Sequence, residues 1–134
     1  MKEMDRIESA MQLQSLLRVR DEAAPIICRV SQAEGSGKWE LKFEAFWEAL
    51  GKLPLILEHL KGAPQFEGDN RKELSKIQEL EEKAIEAYIE SCELNVEQLK
   101  DPNRFRQSKI VLKVSRANGY WDASARKAIA LLRK

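Results

Sequence analysis

The chain predicts an all-α fold, a bundle of five or six helices packed around one long helix, and three observations lead there. The stretch from about 70 to 100 contains neither Gly nor Pro and is rich in Glu, Lys, Leu, Ala and Gln, the strong helix formers. Apolar residues recur at three- and four-residue intervals through most other segments. Gly, Pro, Asn and Asp clusters then cut the chain into pieces of helix length. With 134 residues, 43% of them hydrophobic and 34% charged, one domain with one core is expected over 1–134.

Residues 2–20 read as an amphipathic helix, because Met4, Ile7, Met11 and Leu16/Leu17 recur at helical spacing. Asp21 can cap a continuation with Pro25 in its first turn, where a missing N–H costs little. Ile26, Ile27 and Val30 extend that apolar patch, although Ile26, Cys28 and Val30 also alternate as a strand would. Glu34-Gly35-Ser36-Gly37 is a break. After it Trp39, Phe43, Phe46, Trp47 and Leu50 line one face of a helix, the heaviest aromatic face in the chain. Gly51 suits a helix end and Pro54 the start of a short helix closing near Lys61, with Gly62 and Pro64 behind it. A loop over 62–69 carries Phe66.

The long helix opens on Asn70 and Glu73, spaced as a capping box, and pairs Glu79 with Lys83 at i,i+4. At 1.5 Å per residue it spans roughly 45 Å. Its seam of Ile77, Leu80, Ala84, Ala87, Ser91, Leu94 and Gln98 weakens along its length, which favours packing inside a bundle over a parallel coiled coil. Asp101-Pro102 reads as the cap and first position of the next helix, Asn118-Gly119 as its end, and Asp122 as the cap of a last one. The runner-up fold is α+β, with a small sheet from 26–31, 38–44 and 109–115, where Ile110-Val111-Leu112-Lys113-Val114 is strand-prone.

Net charge is +1, but residues 100–134 carry ten bases against two acids and sum to +8, leaving −7 on residues 1–99. An acidic part over 1–99 and a basic C-terminal helical pair over 100–134 follow. Wound as a helix, Arg106, Lys109, Lys113 and Arg116 form a single basic stripe, with Arg126 and Lys127 beyond it. Tyr120 and Trp121 would stand in the turn between the two helices. Cations on one surface with exposed rings beside them are what RNA or DNA binding needs. The competing reading folds the stripe back on Glu82, Glu86, Glu90, Glu93 and Glu97 and seats Trp121 in the core with its N–H satisfied.

No catalytic or metal constellation is visible. His59 is the only histidine, Cys28 and Cys92 stand 64 positions apart as reduced, buried residues, and neither phosphate-loop nor nucleophile-elbow spacing occurs. No apolar run is long enough to span a membrane and no signal peptide is seen, so a cytoplasmic location, bacterial or host, is the expectation. The function expected is a non-enzymatic helical interaction or accessory protein that docks on a protein partner or self-associates. Trp39, Phe43, Phe46 and Trp47 are its candidate interface. The alternative is a small nucleic-acid-binding protein using Arg106, Lys109, Lys113, Arg116, Arg126 and Lys127 with Tyr120 and Trp121. No cofactor, metal or small-molecule substrate is inferred.

Overall fold

A computed structural model describes residues 3–63 and 65–134 as four helices, α1 (Glu3–Ser36), α2 (Trp39–Lys61), α3 (Arg71–Lys100) and α4 (Arg104–Leu132). The fold is all-α as expected, with four helices in place of five or six. The three segments at 26–31, 38–44 and 109–115 are helical, so the small sheet of the runner-up is not formed.

Each missing break has the same cause. Asp21 and Pro25 lie inside α1, Gly51 and Pro54 inside α2, and Asn118, Gly119 and Asp122 inside α4. All seven are exposed, while the residues around them on the inward side are buried. A glycine costs a helix about 1 kcal/mol and an interior proline about 3 kcal/mol. Burying one Leu, Ile or Phe returns about 1.5–3 kcal/mol. Val19, Ala23 and Ile26 carry α1 past its proline, Ala49, Leu53 and Ile56 carry α2, and Ala117, Ser124 and Ala128 carry α4. Tertiary burial outweighs the local signal.

Two helix starts also differ from expectation. Asn103, not Asp101, caps α4, its side chain accepting from the N–H groups of Phe105 and Arg106. The Asn70 side chain makes no capping hydrogen bond and donates instead to Ser9 Oγ, 2.9 Å away on α1. The break after α1 falls at the end of the expected Glu34–Gly37 stretch, because α1 runs on through Ser36, and Gly37 at φ +70° makes a two-residue link that an L side chain would strain. Pro64, expected to close α2, and Lys2, the first residue of the 2–20 segment, lie outside the described residues.

Neighbouring helices run antiparallel. Arg29 reaches Glu48 between α1 and α2, Lys61 reaches Glu86 between α2 and α3, and Arg106 and Lys113 reach Glu97 and Glu90 between α3 and α4. Helix α3 is the centre, packing on the other three, whereas α1 meets α4 along a thin seam. Among the described residues α2 and α4 do not pack on each other and hold opposite corners of the bundle. The core contains Leu13, Leu16, Phe46, Leu53, Leu74, Ile77 and Ile85. Met4, Ile7 and Met11, expected to face inward, are exposed, because the inward line of α1 is Ser9, Leu13, Leu16, Val19 and Ala23. Cys92 is buried as expected, but Cys28 is exposed.

Candidate functional site

Of the expected aromatic face, Phe46 leaves the set. It is 1% exposed and fills the core between α2 and α3, so no partner can reach it. The other three stack as a ladder on the flank of α2. Trp39 and Phe43 lie 5.4 Å apart between ring centroids and Phe43 and Trp47 5.8 Å, with interplanar angles of 9° and 12°. The i, i+4, i+8 spacing puts one ring above the next on each helical turn. Phe43 is half-buried, while Trp39 and Trp47 keep 54% and 64% of their surface in water.

The outward line of α2 continues this surface. Glu40, Glu44, Trp47, Gly51, Leu55 and Glu58 follow one another at steps of 4, 3, 4, 4 and 3, and all are exposed. No ion pair reaches Glu40, Glu44 or Glu58 among the described residues. Glu48, one step aside, is engaged by Arg29 at 2.6 Å and Lys52 at 3.3 Å, which hold its carboxyl below the ordinary range. The result is an apolar and acidic face.

The basic stripe divides. Arg106 pairs with Glu97 at 3.5 Å and donates to the Asp101 carbonyl, Lys113 pairs with Glu90, and Lys134 reaches Glu73 at 3.4 Å. Those three cations turn toward α3. Lys109, Arg116, Arg126 and Lys127 are exposed and have no ion-pair partner among the described residues. They share the outer side of α4 with Phe105, 82% exposed, and Leu112.

Tyr120 and Trp121 are not in a turn, since α4 runs straight through them. Both are half-buried against the core. Trp121 meets Tyr88 edge-on at 5.2 Å and carries the Arg20 guanidinium 4.9 Å above its ring. Tyr120 faces the Lys83 ammonium at 5.9 Å. The expected turn between two basic helices is not formed, and Trp121 is already engaged by Tyr88 and Arg20 and Tyr120 by Lys83.

Sequence reasoning missed the polar centre beneath Trp121. Arg20 donates from Nη2 to Glu81 Oε1 at 2.8 Å and to the Trp121 carbonyl at 2.9 Å, and Ser124 donates to the same Glu81 oxygen at 2.8 Å. Glu81 is 1% exposed. Its second oxygen, Arg20 Nε and Trp121 Nε1 are buried with no hydrogen-bond partner among the described residues, where the expected partner of the Trp121 N–H is not found. Tyr88 donates to Asn118 beside it. The signal was legible: Glu81 stands four residues from Ile77 and four from Ile85, in the middle of an apolar stripe.

The two groups that nucleophilic chemistry would use are held apart. His59 lines an open groove of about 440 Å³ with Gln12, Ser15, Gln65 and Phe66, and no carboxylate is among the described lining residues. Cys92 shares a cavity of about 140 Å³ with Glu34, Tyr88, Ser91 and Asn118. Burial pushes its thiol up to about 12, so it stays protonated where a nucleophile would need the thiolate. No described helix is long and apolar enough to cross a membrane.

Fold and surfaces together define a four-helix bundle with one apolar–acidic face, on α2, and one apolar–basic face, on α4. No family model, no curated protein and no solved structure matches the chain.

Proposed function

We propose that this chain is a non-enzymatic helical interaction protein that docks the outward face of α2 on a protein surface, belonging to a separate partner or to a second copy. The observation that carries the reading is the Trp39–Phe43–Trp47 ladder with two of its rings largely in water. Ordered, solvent-facing tryptophan is the residue type that dominates interface energetics, since its large rigid surface is desolvated at little entropic cost. Phe46 fills the core in its place, so the bundle does not need the ladder for its own packing.

Nucleic-acid binding is the second reading, favoured by the four unpaired cations Lys109, Arg116, Arg126 and Lys127. It would rest on phosphate contacts alone, because Tyr120 and Trp121 are engaged inside the bundle.

Site-specific photo-crosslinking in cells tests the first reading. A benzophenone amino acid at exposed Lys52, on the rim of this face, leaves the ladder and the outward line of α2 intact. The expected result is a covalent adduct to protein on irradiation, absent when the probe stands at exposed Glu22 on α1. Irradiation that yields no protein adduct from Lys52 would overturn the reading.

A further inference from the structure

We propose that the occupant of the α2 face is the α4 face of a second copy, so that the chain assembles head to tail. The inference rests on the docking reading above and names its partner. Four observations lead to it.

The first is charge. The outward line of α2 presents Glu40, Glu44 and Glu58 with no cation among them, beside Trp47 and Leu55. The outward line of α4 presents Phe105, Lys109, Leu112, Arg116, Gly119 and Arg126, all exposed, with Asp122 as the one exposed acid, between the last two. Each is apolar and charged, and the charges are opposite. Complementary potentials steer such faces together and exclude like-charged pairings, so neither line can dock on a second copy of itself.

The second is periodicity. From Phe105 to Gly119 the α4 line advances by 4, 3, 4 and 3 residues, and the α2 line by 4, 3, 4, 4 and 3. These are the spacings of a seam that another helix covers.

The third is the pair of glycines. Gly51 and Gly119 each stand in mid-helix on the outward line, at negative φ, and a Cβ at either would meet nothing within 4 Å. Nothing inside the molecule asks for glycine there, and each costs its helix about 1 kcal/mol relative to Ala. A bare backbone on an exposed seam gives a neighbouring helix a place for close approach.

The fourth is placement. Within one chain α2 and α4 hold opposite corners and do not pack on each other, so their complementarity cannot be satisfied internally. Docking α4 of one copy on α2 of the next leaves each new copy with one face free. A heterologous contact of that kind builds rings or open chains instead of closed two-fold dimers.

Two charge-reversed variants test this. Glu40→Lys with Glu44→Lys inactivates the α2 face, and Lys109→Glu with Arg116→Glu inactivates the α4 face. Wild type should show a mass that rises with concentration in sedimentation at about 50 mM salt and falls toward the monomer at about 500 mM, where the Debye length shrinks below the span of the contact. Each variant alone should be a folded monomer by sedimentation and circular dichroism, with self-affinity down tenfold or more. Mixed one to one, they regain complementary pairings, native face on native face and reversed face on reversed face, so association lost in each variant alone should return in the mixture. A wild-type chain monomeric at all concentrations in low salt overturns the inference. So does a mixture of the two variants that stays monomeric, and so does an α4 variant whose only defect is lost binding to a labelled oligonucleotide. Crosslinking from Lys52 separates the two levels: an adduct of twice the chain mass supports both. An adduct with a different protein keeps the docking reading and removes this one, and no adduct removes both.

Discussion

Glu81 and Glu90 lie on the same helix, each meeting a cation from another, and the two pairs do different work. Glu81 is sealed between α1, α3 and α4, takes two donors on one oxygen, and leaves three polar atoms around it without partners. Glu90 meets Lys113 at the surface, where both groups remain partly in water. A buried pair gives up the hydration of two ions and recovers it only through good geometry, so its net gain is small but its disruption is costly. An exposed pair trades water for a partner nearly evenly and is worth at most about 1 kcal/mol. The inner pair therefore fixes how three helices meet, and the outer pairs set the charge left on the surface.

The comparison is broken most forcefully at its inner member. Glu81→Ala strands the Arg20 guanidinium and should lower unfolding free energy by about 3 kcal/mol in urea titrations, somewhat moderated because Arg20 keeps contact with solvent. Replacing both partners, Arg20→Met with Glu81→Leu, should cost clearly less, since no charge is then stranded. Equal losses in the single and double variants would mean that packing, not charge, is what Glu81 supplies.

Alkaline stability sharpens the same contrast. Burial pushes the Cys92 thiol from 9.0 and the Tyr88 phenol from 10.0 up to about 12 each. The folded chain thus keeps protons that the unfolded chain releases, and stability falls as pH rises above about 9. Cys92 alone contributes a slope of about 1.4 kcal/mol per pH unit in that window. Cys92→Ala should flatten the slope between pH 9 and 10, and an unchanged slope would place the thiol in contact with solvent.

The smallest effect is at the outer pairs. Lys113→Ala should change stability by less than about 1 kcal/mol, and the difference should vanish in high salt. A larger, salt-insensitive loss would show that Lys113 is held by its aliphatic stem against α3 instead of by Glu90.

Much of this architecture was legible in the chain itself. The 70–100 stretch has no competing signal, so α3 was read within a residue of both ends, with the Glu79–Lys83 pair in place. The glycine link after α1 and the aromatic start of α2 were also plain. Gly51, Pro54 and Asn118-Gly119 misled, because a local breaker says nothing of how much apolar surface its neighbours bury. Met4, Ile7 and Met11 misled in the opposite way: their spacing is helical, but the bundle takes the neighbouring line through Ser9 and Leu13. The sequence placed the basic stripe on one helix but could not divide it. Which cations meet Glu90 and Glu97, and which stay free, depends on the rotation of α4 about its own axis.

The thin α1–α4 seam bears on the order of events in folding. Links of two and three residues close the α1–α2 and α3–α4 hairpins, whereas Arg20 and the Trp121 carbonyl are separated by 101 positions. Contacts within a hairpin cost little chain entropy, and a tie of that length is rewarded only once both hairpins stand. The inner charge pair then belongs to the final step. Its loss in Glu81→Ala would steepen escape from the native state while leaving the rate of arrival almost untouched. On that account the buried glutamate governs how long a bundle lasts, not how quickly it forms.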